Sequence, residues 1–234
     1  MYVHHVVLDF EMTPVSRENK DALENLCEEV IEIGALKLDK YGNTDDRFCC
    51  MVRPQYSRSV SATVTKLTGI CTKDLSFADT FDIAVRKFSE WIGSEKARIY
   101  SWSDSDLLQI KRECFYKGIR FPENMRRWTD LQAVYPRIMG RGRRSRPALH
   151  TAVKECGIEF DEKRAHRALY DAEKTAELLR YVITGEYRGH VRKMRDVVRS
   201  EVMPMTNSMD AASGGKLSQL LQQMKRQQMT TENR

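Results

Sequence analysis

The chain has 234 residues, 41% of them hydrophobic and 31% charged, which suffices for one sizeable core and falls short of two full domains. Its 39 Lys and Arg against 33 Asp and Glu leave a net charge of only +6, which admits a nucleic-acid partner and excludes a histone-like, purely electrostatic binder. No apolar run approaches the ~20 residues of a membrane span, no signal peptide is predicted, and six cysteines without a CxxC pair predict free thiols in a reducing cytoplasm.

In chain order, Tyr2 to Phe10 is rich in β-branched and aromatic residues and predicts a first, central strand buried on both faces. Glu29 to Leu38 and Arg47 to Arg53 predict two more strands joined by the polar turn Asp39 to Asn43, so the chain opens as an antiparallel meander. A short helix over Ser61 to Leu67 closes at Gly69, and Phe77 to Ile92 carries Phe77, Phe81, Ala84, Val85, Phe88 and Trp91 at helical spacing. Ala97 to Trp102 predicts a fourth strand, followed by an amphipathic helix over Asp104 to Tyr116 that Gly118 terminates. Further helices are predicted over Trp128 to Ile138, Pro147 to Cys156 with its Pro at an early helical position, and Ala168 to Ile183. A meander followed by alternating elements specifies an α/β domain with a mixed sheet over residues 1–185. Residues 186–234 form a C-terminal extension, Met- and Gln-rich, with nine basic and five acidic residues, hence +4. Its composition suits a partly helical or disordered segment through which a homodimer or a partner protein is held.

Chemistry concentrates in acidic residues. Asp9 and Glu11 stand two apart on a predicted strand, so the period of two aims both carboxylates at one face. Two like charges in a buried neighbourhood repel unless a cation lies between them, which makes the pair a candidate Mg²⁺ or Mn²⁺ site. Read alone, Asp9 also fits a strand end and Glu11 a solvated face. Asp106 stands at a predicted helix start just past a strand, where a third carboxylate joins a site or an ordinary N-terminal Asp meets the helix dipole; Asp104 competes for either role. His166 and Asp171 are five residues apart and would diverge by about 140° on one helix, which places His166 on the preceding loop and Asp171 in the first turns. A histidine beside a fixed carboxylate suits general-base chemistry.

In this order, Asp-x-Glu in LDFEMT, Asp in WSDSDLL and His-x4-Asp in HRALYD, the motifs resemble those of the DEDDh 3'-5' exonucleases. EVIEIGAL, the Val52 to Pro54 segment and VTKLTGICTKDL extend the likeness toward the Eri and KapD subgroup, which includes RNases that trim short RNA 3' ends. The resemblance implies an RNase H-like three-layer domain with a mixed, mainly five-stranded sheet flanked by helices. It also implies hydrolysis of single-stranded nucleic acid, RNA favoured, to nucleoside 5'-monophosphates with two Mg²⁺ ions, Mn²⁺ substituting. Asp9, Glu11, Asp106 and Asp171 then hold the metals and His166 takes the proton. Met12, Leu67, Thr68 and Leu107 match positions that line the pocket of the terminal nucleotide, although plain packing explains them equally. Arg143 and Arg144, in the cationic loop Arg137 to Arg146, suit phosphate contacts. The chain departs from several members in carrying Ser105, not an aromatic, before the middle Asp. A DNA-directed exonuclease and a non-catalytic nucleic-acid-binding module with the same fold stand as the alternatives.

Overall fold

The computed structural model describes residues 4–93, 97–140 and 146–189. The cationic-loop residues Arg143 and Arg144 and nearly all of the predicted extension lie outside them. In chain order the elements are β1 (His5–Pro14), α1 (Lys20–Leu23), β2 (Glu28–Leu38), β3 (Thr44–Arg53), α2 (Ala62–Thr68), β4 (Asp79–Thr80) and α3 (Phe81–Ile92). There follow β5 (Arg98–Ser101), α4 (Ser105–Tyr116), β6 (Trp128–Asp130), α5 (Leu131–Ile138), α6 (Leu149–Glu155) and α7 (Ala168–Ile183). The sheet runs β4-β3-β2-β1-β5-β6, antiparallel across β1, β2 and β3 and parallel at β1–β5, β5–β6 and β3–β4. It is the expected mixed sheet with a sixth, two-residue strand at its edge.

The meander forms because Asp39 closes its turn. Its carboxylate accepts the Tyr41 and Asn43 amides at 2.8 Å each, and Gly42 takes the left-handed φ of 83° that the turn requires. Alternation along β1 then sorts the two faces. Val6, Leu8 and Phe10 join Ile33, Ala35 and Val52 beneath Phe81, Val85 and Phe88 of α3 and Ile110 and Cys114 of α4. Asp9 and Glu11 point the other way, in register with Gly34 and Glu32 of β2. On that face α7 comes so close that a Cβ at Gly34 would overlap the backbone of Ala168 and Leu169.

Four sequence expectations shift. Phe77 is fully exposed and the helix begins at Phe81, because Asp79 and Thr80 pair with Val52 and Arg53 as β4. Trp128–Asp130 is a strand, not the start of a helix: it pairs with β5, and Asp130 caps α5 by accepting the Ala133 amide at 2.9 Å. Pro147 stands outside its helix, where its carbonyl accepts Trp102 Nε1 at 3.2 Å and Gln132 Nε2 at 2.9 Å. The first strand runs on past Phe10 to Pro14.

One buried ionic cluster ties these parts together. Lys117 Nζ, at the end of α4, lies 2.8 Å from Glu29 and 2.7 Å from Glu113, and all three side chains are at most 4% exposed. Glu29 also accepts the amides of Gln55 and Tyr56 and the Ser57 hydroxyl, and Glu113 accepts the Val30 amide, so every carboxylate oxygen has a donor. The segment leading to α2 is thereby pinned to the helix that carries Asp106. Among the described residues no helix is long and apolar enough to cross a membrane.

Gly34→Ala is expected to destabilise the protein at or above the upper end of the ~1–3 kcal/mol cost of overpacking, because backbone, not a flexible side chain, meets the added methyl. The urea unfolding midpoint reports it, and an unchanged midpoint would contradict the close docking of α7.

Candidate active site

The site forms where β1 outlasts its neighbour. Only His5–Val7 pair with β5, so the rest of that edge of β1 is left open beyond Val7. Asp106, 4% exposed at the first turn of α4, fills part of it by accepting the Phe10 amide through Oδ1 at 3.1 Å. From the opposite face of the sheet, α7 brings Asp171, whose Oδ2 accepts the His166 amide at 3.2 Å. His166 stands on the loop before α7 with φ 62°, a left-handed conformation uncommon for a residue with a side chain. That conformation brings a ring nitrogen within 4.8 Å of carboxylate oxygens of both Glu11 and Asp171. The loop is itself held from α7, since Tyr170 Oη accepts the Asp161 amide at 2.6 Å and Arg164 stacks 4.6 Å from the Tyr170 ring.

Electrostatics follow from that crowding. Burial first, then the charges of Asp106, Glu11 and Asp171, hold the Asp9 carboxyl well above the carboxylate range. Burial, with Asp171, Glu32 and Asp106 adding repulsion, pushes Glu11 up to about 8. Burial takes Asp106 to about 7, with the Phe10 amide opposing the rise, and raises Asp171 against the pull of its bond from His166. Asp171 Oδ1 is buried with no hydrogen-bond partner. Four carboxyls that resist ionisation together, one with an orphaned oxygen beside an imidazole, form an all-oxygen donor set suited to hard divalent cations.

The structure brings Glu11 of β1, Asp171 of α7 and His166 of the loop before α7 within 4.8 Å of one another, and sets Asp9 of β1 and Asp106 of α4 close enough to act on their charges. It places the other predicted residues variously. Met12 packs against the central core, Leu67 is 52% exposed on α2, and Leu107 is half-buried on α4. Thr68 is buried, its hydroxyl donating to the Val64 carbonyl and accepting the Ile70 amide. Asp104 occupies the N-cap position of α4 without capping it and faces Arg146 at 3.9 Å. Trp102 is buried against Tyr135. Sequence reasoning passed over Glu32 and Arg167, which adjoin the site; the available signal was a glutamate inside an apolar strand, which burial requires to be paired.

Comparison with known proteins gives a consistent set. The family model described as Exonuclease, RNase_T, matches residues 6–179. ERI1 exoribonuclease 2 of Danio rerio is 29% identical over 201 residues, covering 76% of this chain and 35% of that protein. The 3'-5' exonuclease Snipper of Drosophila melanogaster is 28% identical over 199 residues, covering 76% of this chain and 68% of that protein. The nuclease domain of 3'hExo, a DEDDh family member bound to rAMP, superposes with a TM-score of 0.66 at 23% identity, covering 83% of this chain and 93% of that one. The chain thus spans only about a third of the length of the ERI1 exoribonuclease 2 relatives, 35% in the fish protein and 31% in that of Xenopus laevis.

The raised carboxyls fix the sign of a pH dependence. Between the ordinary 4.5 and the folded value of about 8, the native metal-free protein keeps a proton on Glu11 that the unfolded chain has released. Unfolding then releases protons, and stability falls as pH rises through that window. Melting midpoints in chelator are expected to decline from about pH 5 to about pH 8, and added Mg²⁺ to flatten the slope. Equal midpoints at both ends would contradict the crowding of the acids.

Proposed function

This chain belongs to the exonuclease family, and on that premise we propose that it is a metal-dependent 3'-5' exonuclease that shortens single-stranded RNA or short oligoribonucleotides to nucleoside 5'-monophosphates. The observation that carries the reading is the orphaned, buried Asp171 oxygen beside the Glu11 carboxyl and the His166 imidazole, with Asp9 and Asp106 in the same charge cluster. A module that only bound nucleic acid would gain nothing from massing negative charge where a phosphate must sit. RNA is favoured because the relatives include a named exoribonuclease, and because the superposing nuclease domain holds rAMP, a nucleotide of the product class proposed here.

In this reading Asp9, Glu11, Asp106 and Asp171 hold a pair of Mg²⁺ ions, with Mn²⁺ as substitute. Such a pair supplies an activated water, neutralisation of the charge developing on phosphorus and stabilisation of the leaving 3'-oxygen. The chain's own groups do the rest. The Phe10 amide holds Asp106, and the His166 amide holds Asp171, so neither carboxylate must reorganise when substrate arrives. His166, exposed at the mouth of the site, accepts the proton from the attacking water and passes it to solvent. Met12, Leu67 and Leu107 offer apolar surface for the terminal base, and Arg143 and Arg144 offer phosphate contacts of little sequence preference.

Matched RNA and DNA oligomers bearing a 3'-hydroxyl, incubated with Mg²⁺ and then Mn²⁺, test the proposal. The RNA is expected to shorten one nucleotide at a time with release of 5'-monophosphates. Asp9→Asn should abolish cleavage with the fold retained, and His166→Ala should lower kcat by about 10²–10⁴-fold. Shortening of DNA alone would replace RNA as the substrate, and binding without cleavage would leave a non-catalytic module.

A further inference from the structure

Glu32 is the one acid that faces the site from β2. It is 1% exposed, opposite Glu11 in the register of β1 with β2, so its side chain shares the face of Asp9 and Glu11. Its charge adds to the repulsion on Asp9, Glu11 and Asp171, yet it is not left loose in the cluster. Instead both of its oxygens are taken. Arg167 donates Nη2 to Oε1 at 2.7 Å and Nε to Oε2 at 3.2 Å, a two-pronged grip, and the Ala168 amide donates to Oε2 at 2.9 Å.

The place of this grip in the chain gives it its meaning. Arg167 is the N-cap residue of α7 and makes no capping bond with its own side chain. The Ala168 amide belongs to the first turn, where helix donors lack internal partners, and Glu32 serves it from across the sheet. Immediately before Arg167 comes His166 in its left-handed conformation, and four residues after Arg167 comes Asp171. Gly34, two residues along β2 from Glu32, lets the same first turn approach backbone to backbone. Glu32 and Gly34 thus fix the start of α7 by two contacts, one ionic and one steric.

We infer that Glu32 and Arg167 are a positioning pair that sets His166 and Asp171 in register with Asp9 and Glu11. This rests on the metal-dependent reading above. A pair that merely stapled the helix would govern melting and nothing else; a positioning pair also governs how tightly the four acids take up a divalent ion and how fast the bound strand is cut.

The full chain and its Glu32→Gln and Arg167→Lys variants are to be titrated with Mn²⁺ by calorimetry and assayed on an oligoribonucleotide across Mg²⁺ concentrations. Arg167→Lys, at a half-exposed position, keeps the charge and loses the fork, so it serves where Glu32→Gln fails to fold. Metal affinity in the folded variants is expected to weaken by about 10–100-fold. A lower kcat should accompany it, with KM for the strand unchanged. Metal isotherms equal to the parent's in variants that melt cooperatively would overturn the inference, as would a rise in KM alone. A parent chain that takes up no Mn²⁺ would overturn the functional reading itself and this pair's role with it.

Discussion

Repulsion among buried carboxylates is the constraint around which this domain is arranged. Burial raises the proton affinity of Asp9, Glu11, Asp106 and Asp171, and the charges of the neighbouring acids raise that of Asp9 and Glu11 further. The same chain shows how it treats buried acids that have no such task. Glu29 and Glu113 flank Lys117, and backbone amides and the Ser57 hydroxyl complete their shells. At the sheet end no lysine among the described residues pairs with the four acids, and an oxygen of Asp171 is left without a hydrogen bond. The difference between a satisfied acid cluster and an unsatisfied one, within one core, is what separates scaffold from site.

Holding such a cluster requires anchorage from outside it. The acids of β1 are fixed by the sheet, Asp106 by an amide of β1, and Asp171 by an amide of its own loop. Because α4 packs with α3 beneath one face and α7 covers the other, the two helices approach the end of β1 from opposite sides. The three-layer arrangement is therefore not incidental to the chemistry: a sheet with helices on one face alone would bring up either Asp106 or Asp171, never both.

Much of this was legible in the sequence, and the gaps have physical causes. The period of two placed Asp9 and Glu11 on one face, and the angular mismatch of His166 with Asp171 put the histidine on a loop. The meander was readable from its Asp39 to Asn43 turn. Strands of two and three residues, β4 and β6, are too short for periodicity to register, and β6 runs into α5 with no Gly or Pro between them. Only Asp130, as a cap, marked that boundary. Glu32 and Arg167 are 135 residues apart, so no local rule links them; a glutamate amid Val30, Ile31 and Ile33 says that a partner exists without saying where. The role of Thr68 looked equally open, and its hydroxyl is engaged by Val64 of its own helix and by the Ile70 amide just past the helix end.

The overhang of β1 past β5 has a consequence for solubility. A strand edge with free amides is a template on which a second chain adds by backbone pairing, the route to sheet extension and aggregation. Asp106 stoppers one such amide with a side chain that occupies the place a neighbouring strand would take. A variant without the Asp106 side chain would open that border of the sheet to such pairing.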